Sequence, residues 1–346
     1  LLGNRGLGIA LIGTGRAGLI HGRNYAGRVD GARLVAVADA NEESVRHAAA
    51  EFGLETWHTD YRALLDEPEV DAVVIVTPTS IHRDVAVAAA EAGKHIFCEK
   101  PMAMNTAECD EINRAAEAAG VVLQIGFMRR FDRNFVEAKE AVDRGEIGDV
   151  VMVRTLTHGP STPQPWMYDI QQSNGPLAEI NSHDIDTVRW FTESEYHHLY
   201  AMAGNFRCPE AREQYPDFYD NVVMTGTMEN GMQGVVEGAA AVRYGYDSRA
   251  EILGTEGILF VGDLADTNVV VSNRQQEMRR NTVKSWRGLF REAYHAEAQG
   301  FVEAVRNGTA PRVTGHDGRA AVEVVVAGNQ SIVEKRPVSL SDGSDS

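Results

Sequence analysis

Cysteine is scarce in this 346-residue chain: Cys98, Cys109 and Cys208 make an odd number with no CxxC pair. That excludes a disulfide framework, and the thiols read as reduced, as expected of a cytoplasmic protein. No apolar run approaches the ~18 residues of a membrane span, and residues 1–8 carry no secretory apolar segment, so neither a membrane partner nor export is expected. Basic residues are also few, 33 Lys and Arg against 50 Asp and Glu, giving a formal charge of −17. Such a surface repels phosphate backbones and argues against a nucleic-acid partner. Repeats, heptads and low-complexity stretches are missing apart from the polar tail Ser339–Ser346, which is expected to fray. Aromatic content is only 7%, yet 43% of the residues are hydrophobic, enough to bury the cores of two ordinary domains without staples.

What is present is a change of texture near residue 126. Before it, short apolar runs alternate with Ala- and Glu-rich helical stretches. The runs are Leu7–Ile12, Leu34–Ala38, Asp71–Thr77, Lys94–Cys98 and Val121–Ile125. The helical stretches are Glu42–Phe52, Arg62–Leu65, His82–Ala92 and Ala107–Ala119, several ending in glycine at Gly53, Gly93 and Gly120. Continuous apolar strands separated by helices call for a doubly wound parallel sheet covered on both faces, an α/β Rossmann arrangement over residues 1–126. Residues 127–346 read differently. A helix is expected at Asn134–Arg144, a turn at Gly145–Gly148, a strand at Val150–Leu156 and a loop at His158–Pro165. A helix follows near Asp184–Phe191, then strands at Val222–Met228, Gly234–Gly238, Arg249–Leu253 and Ile258–Val261, with helices at Glu292–Arg306 and Gly318–Glu334. Strands in succession after a βαβ block predict a separate α+β domain on a mostly antiparallel open sheet.

The chemistry-bearing residues cluster at predicted strand ends. Gly13-Thr-Gly15-Arg16-Ala17-Gly18 follows the first strand and opens a helix. In that context Gly13 permits a tight turn, Gly15 lets backbone approach a pyrophosphate, and Gly18 allows close helix packing. Asp39 closes the second strand, 21 residues beyond Gly18, where a carboxylate bonds a ribose 2′-hydroxyl. Ala40 and Asn41 offer no arginine for a 2′-phosphate, so NAD is favoured over NADP, although Arg16 leaves a minority case for the latter. Thr77, Pro78 and His82 lie in Thr77–His82 after the third strand, placed either to touch the cofactor or simply to end the strand and cap a helix at Ser80. Glu99-Lys100-Pro101 follows the fourth strand, and Pro101 restricts the Lys100 backbone. A lysine there is a solvated charge, or it polarises a reacting hydroxyl. Glu179 and His183 stand four apart, sharing a helix face or meeting around a helix start that Asn181 or Ser182 caps. A carboxylate there can fix the imidazole tautomer, as a general base requires, although a surface Glu–His pair has the same spacing. No HExxH or similar spacing exists among eleven histidines, so no metal site is expected.

Together GTGRAG, Asp39, TPTSIH, CEKP and a carboxylate four residues before a histidine resemble the glucose–fructose oxidoreductase/inositol dehydrogenase (Gfo/Idh/MocA) family, from Gly8 to about Glu334. Gly126–Asp132, Tyr244–Asp247 and Glu251–Gly257 look most like the inositol 2-dehydrogenases within it. The resemblance implies an NAD-dependent oxidoreductase acting on a cyclic polyol or sugar, assembled as a homodimer or homotetramer. It implies that Glu99 and Lys100 belong to the cofactor site, with Lys100 also contacting the substrate hydroxyl. It makes His183 the acid/base, and it places Arg129 or Arg130, Trp166 and Tyr246 in segments lining the substrate pocket. Family members commonly carry Asp where Glu179 stands, so Glu179 either orients His183 or reaches substrate itself. The segment Gly159–Gly175 also departs from inositol dehydrogenases. Relatives include NAD-using glycosidases that oxidise, eliminate, hydrate and reduce. Such an enzyme needs a second base, for which Glu179 or Tyr168 is available, and Arg129, Arg130 and Arg133 could pair with an anionic sugar such as a sulfonated one. Regulatory relatives that bind NAD without catalysis are a third class, which the presence of both Lys100 and His183 disfavours.

Overall fold

The computed structural model describes residues 5–340, and the chain forms two compact units. One takes in the chain up to Phe131 together with Glu292–Val322; the other comprises Asp132–Arg291 and the chain from Glu323 onward.

The first unit alternates strand and helix: β1 (Leu7–Ile12), α1 (Gly18–Tyr25), β2 (Ala32–Ala38), α2 (Glu42–Phe52), β3 (Trp57–His58), α3 (Tyr61–Leu65), β4 (Ala72–Ile75), α4 (His82–Glu91), β5 (His95–Glu99), α5 (Thr106–Ala119) and β6 (Leu123–Gly126). The strands pair in parallel in the order β3-β2-β1-β4-β5-β6, the doubly wound arrangement expected from the apolar runs. Every residue of β1 and β4 is buried, which is why these strands read as continuous apolar sequence rather than alternating. Local chemistry sets the helix ends: Asn41 and Asn105 cap α2 and α5 through their side chains, and both helices stop at left-handed glycines, Gly53 and Gly120. The expected cap at Ser80 is not there. Ser80 lies in a single 3-10 turn, and α4 starts at His82 with Ile81 in the cap position.

The second unit holds α6 (Arg133–Asp143), β7 (Val150–His158), α7 (Ile170–Ser173), α8 (Gly175–Glu179), α9 (Ser182–Thr192), β8 (Tyr196–Gly204), β9 (Asn221–Met228), β10 (Gln233–Ala239), β11 (Asp247–Gly254), β12 (Ile258–Val261), β13 (Ala265–Ser272), β14 (Met278–Thr282) and α10 (Trp286–Leu289). The chain then passes through α11 (Arg291–Asn307) and α12 (Gly315–Glu334) to β15 (Val338–Ser339). A seven-stranded sheet runs β12-β11-β7-β10-β9-β8-β15, with β7 and β10 parallel and the other pairs antiparallel. One sheet face, including Leu199, Val222, Val236 and Ile252, is buried. A Cβ on Gly234 would meet Val188 of α9, so that helix lies on this face.

Two differences from the sequence reading stand out. Helix α11, read with the C-terminal domain, packs in the first unit: Ala298, Phe301, Val302 and Val305 join Leu7, Ile9, Val74 and Phe97 in one core. Burying Phe301 and Val302 completely is worth roughly 1.5–3 kcal/mol each, so that unit is closed by residues far along the chain. Ser339, read as part of a frayed tail, pairs with His198 in the sheet, while residues 341–346 of that tail lie outside the described residues.

Candidate active site

The first unit builds a nucleotide cradle at the C-terminal edge of its sheet. Gly13 has φ +98° and would drive a side chain into the Val76 carbonyl, so only glycine makes this turn without strain. Gly18 lies so close to the Gly13 carbonyl that a Cβ cannot fit. Gly15 is the opposite case: a Cβ there meets nothing within 4 Å, leaving backbone open to a ligand. Helix α1 starts behind this loop with no side-chain cap and no acidic residue in its first turn, so its N-terminal N–H groups and dipole are available to phosphate. Asp39 is wired to the loop. Its Oδ2 accepts from Thr14 N (2.7 Å) and Thr14 Oγ1 (3.0 Å), and its Oδ1 accepts from Asn41 N (2.9 Å). Three of about four carboxylate acceptor sites are thus used, which leaves one for a ribose hydroxyl. Arg16 and Gly15 are exposed and Ala17 is half-buried at the helix start. These features fit a dinucleotide: Gly13–Gly18 would hold its pyrophosphate and Asp39 its adenosine ribose.

The neighbouring strand-end loops are tied together. His82 is fully buried, its Nδ1 2.8 Å from the Pro101 carbonyl and its Nε2 2.9 Å from that of Thr77. It therefore sits between the Thr77–Pro78 turn and the Lys100–Pro101 turn, its neutral ring donating to one of the two carbonyls and packing against the other. Burial outweighs the carbonyl contacts and keeps its proton affinity below the ordinary histidine value. The Lys100–Pro101 bond is cis, and Lys100 is half-buried. Glu99 also turns inward: its Oε1 lies 2.7 Å from His21 Nε2, and its Oε2 accepts from Lys100 N at 3.1 Å. Arg129 is almost fully buried, and Arg130 pairs with Asp317 (2.8 Å) while its carbonyl accepts from Arg312. The Arg130 charge is thus already matched inside the protein.

In the second unit, Glu179 ends α8 and His183 stands in the first turn of α9, so the pair straddles a helix break rather than sharing one helix face. Asn181 occupies the cap position without capping. Its amide instead donates to Asp184 Oδ2 (2.8 Å) and to the Glu237 carbonyl (3.0 Å), and it packs where Gly238 leaves no side chain. This seats the start of α9 on the C-terminal end of β10. The adjacent end of β7 carries His158, whose Nδ1 meets the Tyr244 hydroxyl. That hydroxyl donates weakly to Asp247 (3.4 Å), and Arg249 holds Asp247 through two bonds of 2.7 and 2.9 Å. Burial lowers the proton affinity of His158, against the pull of Asp247, Glu237 and Asp184. The sequence reading missed His158 and Tyr244 as site residues. A histidine opening the loop just beyond the predicted strand Val150–Leu156 was the available signal.

Three further residues expected at the pocket lie in the second unit. Tyr168 packs with Cys208, Ala211 and Phe218 and donates to Glu210 Oε1 at 2.7 Å; burial, reinforced by that carboxylate, pushes its hydroxyl upward. Tyr246 is buried edge-on against Phe290. Trp166 is exposed in a short 3-10 turn, Pro165–Tyr168. Among the described residues no group of His, Cys, Asp and Glu is arranged to hold a metal ion.

A parallel 3-2-1-4-5-6 sheet carrying this glycine turn and a strand-end aspartate defines a dinucleotide-binding Rossmann domain, here joined to a second unit on a large mixed sheet. Comparison with known proteins gives the family. Residues 7–127 match the oxidoreductase family with NAD-binding Rossmann fold, and residues 135–260 match the GFO/IDH/MocA C-terminal domain. The chain belongs to the GFO/IDH/MocA oxidoreductases, and its cofactor is NAD. It is 34% identical to the myo-inositol 2-dehydrogenase of Thermotoga maritima, covering 96% of this chain and 98% of that one. It is 36% identical to the NAD(+)-dependent scyllo-inositol 2-dehydrogenase of Bacillus subtilis, over 96% and 95% of the two chains. A crystal structure of scyllo-inositol dehydrogenase from Lactobacillus casei with NAD(H) and scyllo-inositol superposes with a TM-score of 0.88 at 27% identity, over 97% and 99%.

Proposed function

We propose that this protein is an NAD-dependent dehydrogenase that oxidises a ring hydroxyl of a cyclic polyol, an inositol or a close relative. The observation that carries the reading is the edge of the second sheet, where the His158–Tyr244–Asp247 chain of hydroxyl, imidazole and carboxylate adjoins the start of α9 and His183. Such alternating donors and acceptors suit a ligand that is hydroxylated all around, and they disfavour analogues lacking a hydroxyl, which leave one of these groups without its partner. The similarity to two inositol 2-dehydrogenases along nearly the whole chain supports it.

NAD, held by Gly13–Gly18 and Asp39, would supply the hydride acceptor for the ring carbon. Lys100, held by the Glu99 bond to its main chain, donates to the reacting hydroxyl and lowers the cost of its negative charge. His183 removes the hydroxyl proton, and Glu179 orients His183 or bonds a neighbouring hydroxyl. Positioning of substrate against the cofactor supplies much of the rate. A redox-neutral glycosidase is the alternative, but its supports have weakened. The Arg130 charge is matched by Asp317, and the Tyr168 hydroxyl is committed to Glu210.

We also propose a homo-oligomer, dimer or tetramer, joined through the sheet face opposite the buried one. There Met202, Val223, Leu253, Ile258 and Phe260 are exposed around the Arg154–Glu237 ion pair.

The test is turnover of a panel of inositols, free sugars and chromogenic glycosides with NAD, following NADH and aglycone together. NADH formed in proportion to an inositol is the expected outcome. Aglycone release without lasting NADH refutes the dehydrogenase reading. Lys100→Met is expected to abolish turnover while sparing NAD binding, and a His183→Ala enzyme with unchanged kcat would refute the assigned base.

A further inference from the structure

Beside the cradle, the first unit buries more ionisable chemistry than the proposed reaction uses. Helix α1 presents His21 and Tyr25, four residues apart on one face; α11 presents Tyr294 and Glu297, three apart, and Tyr294 meets the His21 ring edge-on at 5.5 Å. Glu99 and Lys100 come from the end of β5, and Gln124 from β6. His21 and Glu297 are both fully buried. Gly126, the last residue of β6, leaves the room Glu99 needs, since a Cβ there would sit 2.9 Å from Glu99 Oε2.

The two carboxyl groups differ sharply in what surrounds them. Glu99 has a donor on each oxygen, His21 Nε2–H on Oε1 and the Lys100 amide on Oε2. Burial alone would raise its proton affinity, but the His21 bond and the Lys100 ammonium outweigh burial and hold it below the ordinary carboxylate value. Among the described residues neither oxygen of Glu297 has a hydrogen-bond partner, and nearby the Tyr25 hydroxyl, His21 Nδ1 and Gln124 Oε1 also lack one. Burial, with Glu99 adding to it, drives the Glu297 carboxyl well above its ordinary value, and Glu297 in turn raises Tyr25, after burial itself. A fully buried carboxylate without donors is too costly to keep ionised, and two carboxylates in one pocket do not both ionise.

We propose that Glu99 and Glu297 form a buried carboxylate–acid pair in which Glu297 permanently holds a proton and Glu99 carries the single negative charge, making Glu99 a positioning residue for Lys100. The charge holds the Lys100 main chain through its amide and stands next to the lysine ammonium. Glu297 supplies bulk and polarity to the pocket without a second charge that would compete for His21. This rests on reading Lys100 as the lysine that acts on substrate, whereas the protonation of Glu297 does not.

Infrared difference spectroscopy of the full-length protein against E297Q, at neutral pH and without substrate, tests the pair. A neutral carboxylic-acid carbonyl stretch is expected in the native protein and absent from E297Q; no such band overturns the proposal. E297Q should also fold and keep kcat within about threefold, since a neutral amide replaces a neutral acid. Failure of E297Q to fold counts against the proposal, as does a tenfold loss of kcat. E99Q loses a charge-assisted bond, so kcat should fall about tenfold or more with the KM for NAD little changed and the kcat pH profile displaced. An E99Q profile superimposable on the native one refutes the positioning role. Should Lys100→Met retain turnover, the assignment of Lys100 fails, while the infrared band still decides the state of Glu297.

Discussion

Removing the Asp39 carboxylate separates its anchoring of the glycine turn from the ribose contact proposed for it. In Asp39→Ala the Thr14 amide, on a residue only 3% exposed, loses its 2.7 Å acceptor, and an unsatisfied buried donor costs about 1–3 kcal/mol. The empty protein should therefore unfold several degrees earlier. Binding loses a different bond, from the remaining carboxylate acceptor site to a ribose hydroxyl. Charge-assisted bonds contribute about 1.5–3 kcal/mol, so the Kd for NAD should rise about tenfold to a hundredfold beyond any effect on folding. Asp39→Asn keeps one acceptor oxygen but turns an NH2 toward donors, so it should fall between native and alanine in both measurements. Calorimetric titration with NAD and NADP, beside thermal unfolding of the ligand-free protein, checks both parts. A lowered Tm with NAD affinity within twofold of native would make Asp39 a loop anchor only. A tenfold preference of the native protein for NADP would overturn the ribose assignment outright.

The two glycines of the turn should respond oppositely. Gly15→Ala faces open space, so Tm should hold, while a methyl between backbone and pyrophosphate weakens NAD by about tenfold or more; unchanged affinity would move the phosphate elsewhere. Gly13→Ala, at φ +98° and against the Val76 carbonyl, should destabilise the protein by about 1–3 kcal/mol from backbone strain alone, read by urea unfolding. His82 has a folded-state proton affinity below the unfolded one, so below about pH 6.5 the unfolded chain binds more protons. Its contribution is present above that pH and is lost as pH falls toward the folded value, by up to about 1.4 kcal/mol per pH unit. In His82→Gln the urea stability should vary less between neutral and mildly acidic pH; an identical acid loss would exclude His82 as its source.

What the sequence made legible was whatever lies close along the chain. The glycine turn, Asp39 and the Glu99–Lys100–Pro101 segment are strand-end features whose meaning depends on flanking residues, and β1, β2, β4, β5 and β6 announced themselves as apolar runs. The polar cluster at the end of the second sheet was not legible because it is made by strand pairing: His158 meets Asp247 only through the β7–β11 register. Strand β8 escaped because His197 and His198, both exposed, break the alternation at a register shift between Tyr196 and His198. The surroundings of Glu297 were hidden for a similar reason. Periodicity in α11 shows which face is buried but not what buries it, and a glutamate among Ala298, Phe301 and Val302 gives no sign of where its carboxyl ends up.

The late return of α11 to the first unit has a consequence for synthesis. Chains generally fold from the N-terminus as they emerge. Yet the nascent segment ending at Phe131, though it already holds the glycine turn and all six parallel strands, lacks the helix that covers Leu7, Ile9 and Phe97. The core beneath the cradle can be completed only after the intervening 160 residues, Asp132–Arg291, have left the ribosome. A product truncated before Glu292 therefore carries the glycine turn on a sheet whose apolar face at Leu7, Ile9 and Phe97 lacks its covering helix.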